Sequence, residues 1–91
     1  MTKFSWDSQK ELLNIAKHSV DFKTAQLAFE DPKRRIRYDP AHSIHEPRFF
    51  CVGNIAGKIL TVRFTYRAEE VRIIGAGYWR RGKKIYEKKK D

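Results

Sequence analysis

Residues 59–67 alternate strictly. Leu60, Val62, Phe64 and Tyr66 fall on one side of an extended chain, and Ile59, Thr61, Arg63, Thr65 and Arg67 fall on the other. Strand side chains project with period two, so this stretch predicts a strand with one apolar face and one face carrying both arginines. A sheet with such a face has to be covered on its apolar side, and the preceding residues supply the cover. Phe4-Ser5-Trp6 reads as a short strand. Ser8 with Glu11 three residues on forms a capping box, and Leu12, Leu13, Ile15 and Ala16 follow, predicting a helix over residues 8–18. Asp7 and Lys10 read as cap and helix-surface residues, and Trp6 as a core anchor. Phe22, Ala25, Ala28 and Phe29 share one face of a second helix over residues 21–30, which Asp31-Pro32 ends.

Arg34, Arg35 and Arg37 mark residues 34–38 as an exposed edge strand, since edges tolerate charge. A polar loop over 39–47, a strand over 48–55 and a turn over 53–57 lead into the alternating strand. Ala68-Glu69-Glu70 turns the chain into a last strand over 71–76, where Gly75 and Gly77 allow a bend or a close approach. Residues 79–90 predict a C-terminal helix with Trp79 and Tyr86 on the sheet and the lysines in water; Gly82 counts against it. The fold expected is α+β: two N-terminal helices packed on a small antiparallel sheet, then a C-terminal helix, all in one domain over residues 1–91.

Charge narrows the partners. Twenty Lys and Arg against eleven Asp and Glu give a net charge of +9, enough to steer the molecule toward RNA, DNA or an acidic protein. The excess is uneven: residues 78–91 hold seven Lys or Arg against two acids. The single cysteine, Cys51, excludes an intramolecular disulfide framework and fits a reducing compartment. With no apolar run near the ~18 residues that a membrane span needs, and no signal-peptide core, the expectation is a soluble cytoplasmic protein.

A ladder of motifs runs through the chain: Phe4-x-Trp6-Asp7, Lys10, Asn14, Lys17-His18-x-Val20-x-Phe22, Phe29-x-Asp31-Pro32, the set Asp39, His42, Glu46 and Arg48, and Leu60-x-Val62 through Tyr66-Arg67 to Arg72-Ile73-Ile74. This ladder resembles the BrnT family, toxins of bacterial type II toxin-antitoxin pairs, over residues 4–87. The resemblance implies a RelE-like toxin fold and an endoribonuclease that needs no metal or other cofactor, inhibits translation and growth, and is neutralised by a BrnA-like antitoxin. It also implies that promoter DNA is bound only through the antitoxin complex. Two positions depart from the pattern. Ser19 stands where the family has a helix-ending glycine, which costs about 1 kcal/mol if the left-handed conformation is kept. Gly75-Ala76-Gly77 stands where Ser-Ala-Arg is usual, so an arginine expected in the cleft is absent and Arg80 or Arg81 is the candidate replacement.

Cleaving RNA through its own 2′-hydroxyl requires a base, an acid for the leaving 5′-oxygen and cations for the charge that develops on phosphorus. Arginine suits the last task because its planar fork grips two phosphate oxygens and stays charged. Arg67 and Arg72 flank the last hairpin turn and are the first catalytic candidates; the alternative is a solvated hairpin end paired to Glu69 and Glu70. Arg63 shares a face with Arg67 and extends a possible phosphate track. In Asp39-x-x-His42-x-x-x-Glu46-x-Arg48, His42 belongs to the side-chain type that exchanges protons near neutrality and Glu46 adds a carboxylate, so both are catalytic candidates, with Arg48 beside them on RNA. The other reading is a loop held by its own polar groups, with Asp39 starting the turn before Pro40. Trp79, Arg80 and Arg81 interleave an aromatic with cations, a pattern for unpaired RNA. Lys17 and His18 at a helix C-terminus are explained by the helix dipole alone. The three histidines and one cysteine lack metal-ligand spacing, so no metal site is expected. The competing function is a non-catalytic RNA- or partner-binding module derived from the same fold.

Overall fold

The computed structural model describes residues 2–88. Strand β1 (Phe4–Trp6) leads into helix α1 (Ser8–His18), and helix α2 (Phe22–Ala25) continues as a 3-10 turn (Gln26–Glu30). Strand β2 (Arg35–Tyr38) and a second 3-10 turn (Pro40–His42) precede β3 (Phe49–Ile55), β4 (Lys58–Arg67) and β5 (Glu70–Gly77), and helix α3 (Arg80–Glu87) follows. The strands form one sheet in the order β1-β5-β4-β3-β2. The α+β architecture is the one expected, but the sheet is mixed rather than antiparallel throughout, because β1 pairs parallel with β5 through Phe4↔Val71, Ser5↔Arg72 and Trp6↔Ile73. Strands joined by tight turns must alternate in direction, whereas β1 connects onward through helices and is free to run parallel.

Alternation in β4 sorts the two faces as anticipated. Leu60, Val62 and Phe64 are fully buried and join Phe22, Ala25, Ala28, Cys51 and Ile73 in the core under α2 and its 3-10 extension. Gly53 is required there: a Cβ at this position would lie 2.3 Å from the Ala28 carbonyl oxygen, so the turn rests directly on β3. Trp6 meets Phe22 edge to face at 6.1 Å, consistent with its role as an anchor. The opposite face, traced through the pairs Phe50↔Arg63, Thr61↔Gly77, Thr65↔Arg72 and Arg37↔Phe50, is rich in arginine.

Three local expectations change. The N-cap of α1 is Asp7, whose carboxylate accepts from the backbone N–H groups of Gln9 and Lys10. Its pKa is lowered first by the Gln9 bond. Glu11 is thereby released from the expected capping box with Ser8, and instead accepts the Phe22 N–H at 2.9 Å, tying α1 to the start of α2. The second helix tightens to 3-10 geometry after Ala25. Glu70 leaves the turn and pairs with Arg67, so Ala68 and Glu69 alone make the hairpin, both in left-handed conformation at φ 49° and 66°. Ser19 keeps the left-handed C-cap at φ 58°, as the departure from glycine required.

Beyond Trp6, β1 no longer covers the edge of β5, and buried Asn14 of α1 takes its place. Its carboxamide accepts from the Ala76 N–H and donates to the Ala76 carbonyl, both at 3.0 Å, and donates also to Val20 at 2.9 Å. Helix α3 lies on the arginine face, where Gly82 packs so closely on Thr61 that a Cβ would fall 1.7 Å from the Thr61 hydroxyl oxygen. The Tyr86 hydroxyl donates to Asp31, and Arg35 donates to the Lys88 carbonyl, fastening the end of α3. Lys89 and Lys90, included in the helix expected from sequence, lie outside the described residues.

Candidate active site

The arginine face carries a recess of about 350 Å³ between the Pro40–His42 turn, the β3–β4 surface and α3. Asp39 and His42 form one wall, Phe50, Thr61 and Arg63 the sheet side, and Trp79, Arg81 and Ile85 the other wall. The two polar groups of the first wall are joined. Asp39 is 8% exposed, and its carboxylate lies 2.8 Å from Nδ1 of His42, whose side chain is 57% exposed. Pro40 at the start of the turn sets this geometry, bringing residue 42 back over residue 39, while Ser43 Oγ donates to the Asp39 carbonyl and accepts from Arg48 N–H. A buried carboxylate on Nδ1 holds the ring so that Nε2 is the nitrogen left for other partners. The segment is thus a loop held by its own polar groups, as the structural reading expected, with His42 at the recess and Glu46 and Arg48 outside its lining.

A second recess of about 260 Å³ shares Arg63 and Trp79 with the first, so the two are contiguous. Lys10, Leu13, Lys17 and His18 of α1 form its far side, with Ile74 and Gly75 of β5 beneath. Trp79 marks the junction. A Cβ at Gly77 would lie 2.5 Å from the indole ring, and the His18 ring meets Trp79 edge to face at 5.1 Å. The Trp79 indole therefore packs directly on the Gly77 backbone. Gly75 is different: a Cβ there would make ordinary contact with Asn14 at 3.5 Å.

The remaining candidates form a separate group. Glu46 accepts from Arg67 at 3.0 and 3.3 Å and also pairs with Arg48 at 3.2 Å. The Arg67 hydrogen bond is the main reason that the Glu46 carboxyl is held below its ordinary range. The Arg67 side chain is thus paired with Glu46 of the loop before β3, although its backbone faces Glu70 in the hairpin register. Arg72 projects from the same face beside Asp7, and Arg80 is exposed at the start of α3. Neither lines the two recesses. Among the described residues, no group of three or more His, Cys, Asp or Glu side chains is arranged to hold a metal ion, and no helix is long and apolar enough to cross a membrane.

A family model described as the ribonuclease toxin BrnT of type II toxin-antitoxin systems matches residues 6–82, from the end of β1 into α3. The chain belongs to the BrnT family. A search of curated proteins gives no match. BrnT membership makes this a ribonuclease toxin fold from a toxin-antitoxin system, and both recesses lie almost wholly within the matched span. The structure brings together His42, Arg63, Trp79 and Arg81 of the sequence candidates. It adds Lys10, read from sequence as a helix-surface residue, Lys17 and His18, whose positions at a helix end had a sufficient structural explanation, as well as Phe50 and Thr61, which only the docking of α3 turns into recess walls.

Proposed function

We propose that this BrnT protein is a metal-independent endoribonuclease whose substrate strand follows the paired recesses. The observation that carries the reading is their contiguity through Arg63 and Trp79, with a carboxylate-anchored histidine at one end and Lys10 and Lys17 at the other. In the reaction, His42 Nε2 takes the proton of the 2′-hydroxyl. The 2′-oxygen attacks the adjacent phosphorus, the bond from phosphorus to the 5′-oxygen breaks, and that oxygen leaves with a proton from an acid. The products are a 2′,3′-cyclic phosphate and a 5′-hydroxyl. Arg63, central to both recesses, stabilises the charge on the phosphoryl oxygens, with Arg81 beside it. Arg67, Arg72, Arg48 and Arg80 extend the positive face along the strand, and Glu46 keeps Arg67 and Arg48 in place until phosphate competes for them.

Cleavage of messenger RNA by this site would inhibit translation and growth in the cytoplasm. A BrnA-like antitoxin would silence it by covering the recesses. Leu12 and Leu13 of α1, 62% and 63% exposed, give such a partner an apolar foothold beside the cations, and Leu13 itself borders the second recess. Promoter DNA would then be engaged through the antitoxin. The packing of the Trp79 indole on Gly77 favours the second reading, a binding module without cleavage, because it leaves no room for the side chain that the family resemblance leads one to expect there.

The deciding experiment is RNA cleavage by the purified protein in EDTA, with the product ends identified. The expected result is cyclic phosphate ends, with loss of about 100-fold or more in rate for His42→Ala and for Arg63→Ala in proteins that melt normally. Cleavage unaffected by either substitution would move the chemistry elsewhere, and RNA binding without any product would establish the binding module.

A further inference from the structure

The first recess has features that phosphate binding does not explain. Its volume, about 350 Å³, lies at the small end of the ~300–1,000 Å³ range of ligand pockets, too small for a stacked helix. Its lining is largely apolar, with Phe50 from β3, Trp79 from the β5–α3 junction and Ile85 from α3. The Arg81 guanidinium stands over the Phe50 ring, 5.8 Å from its centroid. At the floor, Thr61 is 5% exposed and its hydroxyl oxygen is buried without a hydrogen-bond partner. A recess meant only for backbone phosphates would present cations. This one presents rings inside, with Arg63 and Arg81 among its lining and His42 opposite.

We propose that this recess is a subsite for one unstacked nucleobase of single-stranded RNA, held against Phe50 and Trp79 while Arg63 and Arg81 hold the adjoining phosphates. Every base has a flat face that stacks on aromatic rings or guanidinium planes, and a base becomes available to such a slot only when it has left its helix. The Thr61 hydroxyl lies beneath Gly82, so the base rests on the rings and not on a hydrogen bond at the floor. The placement also explains the packing of α3: Gly82 lets the helix close down on Thr61, which makes the slot shallow enough for a single base. The inference rests on the reading of this face as the RNA site, and it adds that the protein selects unpaired RNA and positions the cleaved bond by seating one base.

The test uses a fluorescein-labelled 2′-O-methyl oligonucleotide, single-stranded or annealed to its complement. The full chain is titrated by anisotropy at fixed salt. The strand lacks the attacking hydroxyl, so binding is read without cleavage. The expected result is single-strand binding at least about tenfold tighter than duplex binding, with that preference lost in Phe50→Leu and Trp79→Leu while duplex binding is unchanged. Phe50→Leu keeps most of the apolar volume, and a thermal melt of each variant shows that it folds. Equal affinity for both forms, or a preference untouched by both substitutions, overturns the proposal and leaves the recess to a protein partner's side chain. Absence of cleavage of unmodified RNA would sink the ribonuclease reading while leaving a confirmed base subsite standing.

Discussion

At the scale of single residues, Asp39 contributes through another side chain. It is buried, touches the His42 ring and accepts the Ser43 hydroxyl at its own carbonyl, so in the proposed reaction it would position His42 rather than meet RNA. Asp39→Asn is expected to lower kcat about tenfold or more while leaving KM near its original value. Combined with His42→Ala it should add little, because the two act as a unit; additive losses in the double variant would separate them. Gly77 makes a different prediction. Gly77→Ala places a methyl 2.5 Å from the Trp79 ring, and the displaced indole should lower stability by about 1–3 kcal/mol in urea unfolding. An unchanged midpoint would mean that the ring moves aside freely. His42, Arg63 and Arg81, which line the first recess, could be singled out from sequence by side-chain type, whereas Arg67 and Arg72, the first candidates, line neither recess. Thr61 and Phe50 were not legible as site residues, since their roles arise from which face α3 covers, and nothing local to β3 or β4 encodes that.

At the scale of elements, alternation located β4 and charge located the edge strand β2, since both signals are local. The parallel pairing of β1 was hidden because it joins residues at opposite ends of the chain. A comparable stretch of chain separates Asn14 from Ala76, whose pairing makes α1 serve as an edge for β5. Asn14→Leu leaves the Ala76 N–H and carbonyl buried without partners, and a loss of about 3 kcal/mol or more is expected on thermal or urea unfolding. A loss below about 1 kcal/mol would show that water replaces the amide. Cys51 reports on the element beneath it. Burial pushes its thiol from 9.0 up to about 12. The unfolded chain releases this proton above pH 9 while the folded one retains it, so the contribution of the buried thiol is intact below pH 9 and is lost as pH rises toward 12. Between pH 8 and pH 10 the protein should lose about 1 kcal/mol more than a Cys51→Ala variant, whose midpoint lacks this term. Equal losses would place the thiol in contact with solvent.

At the scale of the whole molecule, the charge of +9 is organised: the face away from the main core carries Arg35, Arg37, Arg63, Arg67 and Arg72 with α3 laid across it. If Lys10, Lys17, Arg63 and Arg81 each neutralise one phosphate, the logarithm of RNA affinity should fall against the logarithm of salt concentration with a slope of about −3. Arg63→Ala should reduce that slope by somewhat under one unit, and a flat salt dependence would contradict the electrostatic track. The buried cluster that holds the sheet to α2 and its 3-10 extension includes no residue of α3. A stop codon after residue 78 would therefore remove one wall of the first recess, with Trp79 and Arg81, and leave that cluster intact. For a cell that carries a harmful gene, a frameshift at the codons of α3 would then be a short route to escape, since it takes away a wall of the first recess and spares the residues of that cluster.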